Sequence, residues 1–151
     1  MPVGGCVPVT DGRFRIVLES NLSEITRLRL QLECFADKHG LPKKTLFELN
    51  LILEEILANV ISYAYDDDLG HEIAVGIDLR NGEITLVVED DGKAFNPLLV
   101  PPPPADQPLQ SMQVGGLGLH LIRKLTGNIA YERAGGMNRL TIRKTAQSAP
   151  A

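Results

Sequence analysis

Residues 51–65, LILEEILANVISYAY, constrain this chain more than any other stretch, because they put a carboxylate and a carboxamide four residues apart on an otherwise apolar run. At about 100° per residue, Glu48, Glu55, Asn59 and Ser62 share one stripe of a helix, while Leu46, Leu49, Leu53, Ile56, Leu57 and Val60 lie broadly opposite. An apolar face that wide must be buried, so the spacing predicts a core helix with a polar seam. Taken alone, Glu55 and Asn59 are either one satisfied side-chain pair or two working groups, and the helix leaves both readings open.

The flanking sequence says what packs on that helix. Residues 1–12, rich in Gly, Pro and Val, read as a loosely held arm; 13–19 (RFRIVLE) alternates as a half-buried strand does. Asn21 or Ser23 is placed to cap a helix over 23–39, whose Ile25, Leu28, Leu32 and Phe35 keep helical spacing and which stops at Gly40. Pro42 suits the first turn of the central helix, and the charged loop 66–70 ends it. Strands are expected at 73–79 and 84–89, joined by Asn81-Gly82, a strong hairpin signal. Pro97, Pro101 to Pro104 and Pro108 then forbid any regular element. A loop of this length inside a compact domain is expected to be a functional lid, placed at 96–114. A short apolar helix follows to Gly127, and two last strands, 129–133 and 139–143, meet across Gly135-Gly136. Helices must cover one face of a mixed, mostly antiparallel sheet, which makes the fold class α+β, a two-layer α/β sandwich over residues 13–144 with a disordered tail at 145–151.

Composition removes several functions. A net charge of -4 argues against nucleic acid as a partner, since phosphate neutralisation needs clustered Lys and Arg. Cys6 and Cys34 form no C-x-x-C pair and no disulfide framework, and His39, His71 and His120 lack metal-ligand spacing. The start MPVGGCVPVTDG carries no signal-peptide pattern, and no window approaches the roughly 18 apolar residues of a membrane span. A chain in a reducing cytoplasm, away from the membrane, is the expectation.

Two further clusters carry chemistry. Asp90 and Gly92 stand at a strand end, and Gly115-Gly116-Leu117-Gly118 presents a run of backbone N–H groups where a helix starts, an arrangement that favours a phosphate. No Lys-Ser/Thr follows as in a P-loop, and Leu121 stands where the third glycine of a dinucleotide fingerprint would be. A hinge without a ligand reads equally well from that cluster alone.

In order, the clusters resemble the GHKL ATPase superfamily, with its Bergerat fold, and within it the anti-sigma-factor serine kinases of bacterial partner-switching systems. Glu55, Asn59 and Tyr63-Ala64-Tyr65 match the N-box, residues 89–97 the G1 box, and Gly116-Leu117-Gly118-Leu119 the G2 box. The resemblance implies ATP and Mg²⁺ as cofactors. Asn59 would offer its carbonyl oxygen to the metal. Glu55 would be the general base that accepts a proton from a partner's serine. Asp90 would accept a hydrogen bond from the adenine amine, Gly92 would let the backbone approach the base, and Gly116, Leu117, Gly118 and Leu119 would hold the triphosphate. The implied partners are a STAS-type anti-anti-sigma protein, a sigma factor and a second copy of the chain, in a bacterial cytoplasm.

Two departures weigh on the kinase reading. Ala94 replaces the second glycine of the G1 box, where a positive φ would be costly, and residues 96–114 hold no Lys or Arg to neutralise a γ-phosphate. They favour a nucleotide-gated binding module, whereas Glu55 and Asn59 favour a kinase. A histidine-kinase-like ATPase domain acting in trans is the third reading.

Overall fold

The computed structural model describes residues 5–67, 69–96, 99 and 122–146. Gly116, Leu117, Gly118 and Leu119, most of the expected lid, residues 1–4 and the tail 147–151 lie outside the described residues. The elements run β1 (Arg13–Glu19), α1 (Glu24–His39), α2 (Lys43–Tyr63), β2 (Glu72–Arg80), β3 (Glu83–Asp90), β4 (Asn128–Ala134) and β5 (Met137–Thr145). Residues 122–125, ahead of β4, are helical.

The strands form one sheet in the order β1-β2-β3-β5-β4, and all four neighbouring pairs are antiparallel. The antiparallel pattern expected for most of the sheet therefore extends to all of it, with no parallel pair among the described residues. Two tight turns set the hairpin registers. Asn81 and Gly82 both take positive φ, 51° and 77°, as do Gly135 and Gly136 between β4 and β5. Turns of that hand match the twist of the strands they join. Pairing β3 with β5 is the long-range step, and it sets Asp90 opposite Asn138.

Alternation in the strands sends Phe14, Ile16, Leu18, Ile73, Val75, Ile77, Ile84, Leu86, Val88, Leu140 and Ile142 to one face, where α1 and α2 cover them. From α2 come Leu49, Ile52, Leu53, Ile56, Leu57 and Val60; from α1, Leu28, Leu32 and Phe35. The seam of α2 enters this layer too. Glu48 is buried and meets Lys144 of β5 at 2.9 Å, and the Lys144 ammonium also donates to the Leu125 carbonyl, so a paired charge joins α2, β5 and the turn after residue 122. Glu54, a position away from the seam, ion-pairs with Arg29 of α1.

Local details correct the reading of the ends. No side chain caps α1: Ser23 has αR geometry and its hydroxyl donates to Asn21 Oδ1, while the Glu24 carboxylate accepts the Glu19 N–H. The polar groups there satisfy one another across the β1–α1 turn and leave none for the helix. Pro42 is the residue before α2, in extended geometry, rather than inside its first turn. β5 runs to Thr145, and Ala146 N–H bonds the Gly82 carbonyl at 2.7 Å, so the fold continues two residues beyond 144. Residues 5–12 are fastened rather than loose: Val7 and Val9 pack on the core, Leu79 N–H bonds Gly12 O at 2.8 Å, and Cys6 is disulfide-bonded to Cys34. That bond overturns the expectation of two unpaired cysteines. Their spacing carries no sign of it, because it depends on the arm folding back along α1.

Gly40 ends α1 at φ 63°, with nothing within 4 Å of where a Cβ would sit. Gly40→Ala should therefore cost only the backbone strain of the left-handed region, about 1 kcal/mol, read as a shift in the urea midpoint with unchanged slope.

Candidate functional site

Asp90 ends β3 on the helix-facing side of the sheet and is 4% exposed. Carboxylates are rarely that buried without donors. Here two reach it, both on Oδ1: the Gly92 N–H at 2.9 Å and the Asn138 side-chain amide at 2.9 Å. Among the described residues Oδ2 receives no protein hydrogen bond. Above Asp90 lies a pocket walled by Ile56, Val60, Ala64, Val88, Phe95 and Leu140, with Asn59, Asp90, Tyr131 and Asn138 as its polar members. It is an apolar slot with a few fixed polar groups, the usual form of a small-molecule site.

Asn138 is the residue that sequence reasoning missed. Its amide nitrogen donates to Asp90 and to the Lys93 carbonyl, both at 2.9 Å, while its oxygen accepts from the Tyr131 hydroxyl and from Phe95 N–H at 3.4 Å. Arg133, paired with Asn138 across β4 and β5, donates to the Gly92 carbonyl at 2.6 Å. The β4–β5 hairpin thus grips the loop after β3 at several points. Nothing local in the sequence announces this, since it depends on a pairing between strands almost fifty residues apart.

The other face of that loop rests on the end of α2. Lys93 N–H bonds the Ala64 carbonyl at 2.9 Å, and a Cβ on Gly92 would lie 2.5 Å from both the Cβ and the carbonyl oxygen of Ala64. This gives Gly92 a reason beyond the one expected: the glycine admits contact with the end of α2. Gly92→Ala should push the loop off Ala64 and weaken ligand binding about tenfold, a cost near that of mild overpacking, measurable by calorimetry. Ala94 is corrected as well. Among the described residues only Asp11 and Asn81 take positive φ outside glycine, so Ala94 sits without the strain its replacement of glycine implied. Close by, the Tyr65 hydroxyl donates to Asp91 at 3.2 Å and its ring stacks on His71 at 4.0 Å; burial, then the charges of Asp90 and Asp91, push the Tyr65 phenol well up from its usual range.

On α2, Asn59 is buried and lines the pocket, with its amide nitrogen unpartnered among the described residues. Glu55, one turn earlier, is half-buried, and its Oε2 is likewise enclosed without a hydrogen bond among the described residues. Burial raises the Glu55 carboxyl above its ordinary value. Two unsatisfied polar atoms on one helical face are costly in an empty fold and make sense where a ligand supplies the partners. Asn59 and Asp90 thus meet in the pocket, Glu55 stands one turn from it, and Gly92 and Ala94 shape the loop beside it. No cluster of three or more His, Cys, Asp or Glu suited to a metal occurs among the described residues.

The model of the histidine kinase-like ATPase domain matches residues 18–144, most of the chain. The chain belongs to the histidine kinase-like ATPase domain family. Within it, the chain is 37% identical over 106 residues to the serine/threonine-protein kinase BtrW of Bordetella bronchiseptica, covering 69% of this chain and 72% of that one. It is 25% identical over 113 residues to the serine-protein kinase RsbW of Oceanobacillus iheyensis, covering 72% of each. Among solved structures, that of the RsbU and RsbW domains of Rv1364c from Mycobacterium tuberculosis aligns with a TM-score of 0.66 at 18% identity, over 92% of this chain and 33% of that one. The blue-light activated histidine kinase of Erythrobacter litoralis EL346 aligns at 0.51 and 20% identity, over 70% of this chain and 32% of that one. Both share the family's fold. No described helix is long and apolar enough to cross a membrane.

Proposed function

We propose that this chain is an ATP-dependent protein serine kinase and anti-sigma-type regulator, which binds a partner and phosphorylates a serine on a STAS-type antagonist in a bacterial cytoplasm, with a sigma factor as its other client. The observation that carries the reading is the half-satisfied Asp90. Both donors among the described residues reach Oδ1, which leaves Oδ2 to accept from an exocyclic amine at the end of an apolar slot, as adenine recognition requires. The names of the kinases BtrW and RsbW support the phosphoryl-transfer part.

The residues present fit a magnesium nucleotide. Mg²⁺ takes oxygen ligands, few of them from protein and the rest from phosphate and water, so a single carboxamide suits it better than a cage of carboxylates. Asn59, buried in the wall of the pocket, is the candidate ligand through its carbonyl oxygen, while its amide nitrogen, without a hydrogen bond among the described residues, would donate to a phosphate oxygen. Bound metal would neutralise charge on the transferring phosphoryl group. Glu55 would accept the serine proton, and its raised carboxyl makes it a stronger base than an exposed glutamate. Asp90, held by Gly92 and Asn138, would orient the base, and the apolar wall from Ile56 to Leu140 would keep water from it.

The alternative is a nucleotide-gated binding module, which the lack of Lys and Arg in 96–114 and the replacement of a glycine by Ala94, with no positive φ, favour. To decide between the two, the chain is used to capture partners with ATP and with ADP, each captured protein is incubated with the chain, Mg²⁺ and γ-labelled ATP, and phosphoserine is mapped by mass spectrometry. Label on a serine of a STAS-type partner is the expected result. Capture that depends on nucleotide but yields no phosphoserine would replace the kinase by the binding module.

A further inference from the structure

Far from the nucleotide slot in sequence, residues 5–10 lie along α1. Gln31, only 1% exposed, clamps the arm as a neighbouring strand would: its oxygen accepts Val7 N–H at 2.7 Å and its amide donates to Val7 O at 3.1 Å. Lys38 donates to Val9 O at 2.9 Å. Val7 and Val9 rest against the core. Gln31 precedes Cys34 by three residues, so both project from the same side of α1, and Val7 follows Cys6 directly. The clamp therefore sets the register that brings Cys6 to Cys34, with their Cα atoms 6.7 Å apart, inside the roughly 4.4–6.8 Å that a disulfide spans.

We propose that Cys6 and Cys34 form a reversible thiol-oxidation site whose reactant is a low-molecular-weight disulfide of the glutathione class, and that the bond decides whether the arm stays fastened over Gln31. Three observations support exchange over a permanent link. Cys6 is exposed and Cys34 only half-buried, which leaves the bond open to a thiolate from solvent, and exposed disulfides are the labile ones. The hydrogen bonds of Gln31 and Lys38 do not depend on the sulfurs, so they hold the thiols near each other after reduction and closing again needs little rearrangement. Last, the bond closes an arm whose other ties are a few hydrogen bonds and two valines, so breaking it changes a local equilibrium and leaves the core intact.

The step balances. The Cys6 thiolate attacks one sulfur of the small disulfide, forming a mixed disulfide and expelling one thiolate. The Cys34 thiolate then attacks the Cys6 sulfur, forming the internal bond and expelling the second. Two electrons pass from the protein to the reagent, whose two halves leave as thiols carrying the protons that Cys6 and Cys34 gave up. Reduction by two small thiols is the same sequence reversed. In a reducing cytoplasm such a pair is transient and reports oxidation. Oxidised, the arm is locked over the Gln31 face of α1; reduced, it is held there by the hydrogen bonds of Gln31 and Lys38 alone and opens more often.

The full chain is equilibrated with reduced and oxidised glutathione at stepped ratios, trapped with N-ethylmaleimide and weighed intact, while hydrogen exchange is followed over residues 5–10. Two maleimides should give way to none in one transition that added thiol reverses. Exchange at the Val7 amide should slow at least about tenfold on oxidation, and Cys6→Ser should keep the fast rate under every condition. Two maleimides at all ratios, a stable mixed adduct with glutathione, a bond that no ratio reduces, or a transition that leaves Val7 exchange unchanged would each overturn the proposal. None of these outcomes depends on nucleotide or kinase activity, so the test stands apart from the function proposed above.

Discussion

Asp90→Asn is expected to weaken adenine-nucleotide binding by about 10²-fold or more, with the fold intact. The substituted side chain has the same shape but must choose an orientation. With its oxygen toward Gly92 N–H and the Asn138 amide, which now both reach Oδ1 at 2.9 Å, its amino group faces the slot and meets the adenine amine donor to donor. Turned the other way, the amino group confronts two protein donors in a buried place. Either orientation loses a charge-assisted hydrogen bond, worth about 1.5–3 kcal/mol, and leaves a buried donor unpaired at a further cost of about 1–3 kcal/mol. Calorimetric titration of both proteins with ATP and ADP measures the loss, and thermal melts of the unliganded proteins separate it from misfolding. Equal affinities would take Asp90 out of the adenine contact and leave the pocket without its specificity.

The same residue shows how far sequence reading reaches. Asp90 and Gly92 mark a site from sequence because a strand end with that pattern is local. What holds Asp90 is not local: Asn138 and Arg133 reach Asp90 and its loop, with Tyr131 behind Asn138, only after β5 pairs with β3 in one register. Alternation alone does not fix which residue of 138–141 pairs with Asp90, and the strand expected at 139–143 starts one residue past Asn138. Strands and hairpins were legible for the converse reason, since alternation and the Asn81-Gly82 and Gly135-Gly136 turns act within a few residues. Gly92 reads as room for a ligand, and the further demand for a glycine there, the closeness of Ala64 at the end of another element, is not local. Ala94 was read as strain from a position in a motif, and backbone angles follow the surrounding chain more closely than a motif does. The cysteines fall in the same class. Their pairing rests on Gln31, whose burial in a polar clamp no helical period foretells.

Glu55→Gln should leave nucleotide binding near normal and cut phosphoryl transfer by about 10²–10⁴-fold, the usual contribution of a positioned general base. The amide keeps the volume of the side chain on α2 and removes only its ability to take the serine proton. A pH profile gives an independent reading. Burial raises the carboxyl, so the base protonates at a higher pH than an exposed glutamate would, and the acid limb of kcat should lie correspondingly above the ordinary carboxylate range in the native protein and vanish from the residual rate of the mutant. Stability should move the other way. A folded-state value above the unfolded one means that the favourable contribution of the neutral carboxyl is complete below the unfolded value, near 4.5, and is lost as pH rises through the raised value. Above the raised value the wild-type protein carries an ionised, partly desolvated carboxylate whose Oε2 lacks a partner among the described residues, and there Glu55→Gln should melt at the same temperature or slightly higher. Lower transfer together with an unchanged or raised Tm is the signature of a group kept for chemistry. Normal transfer by the mutant, with the partner's serine still labelled, would show that another group takes the proton.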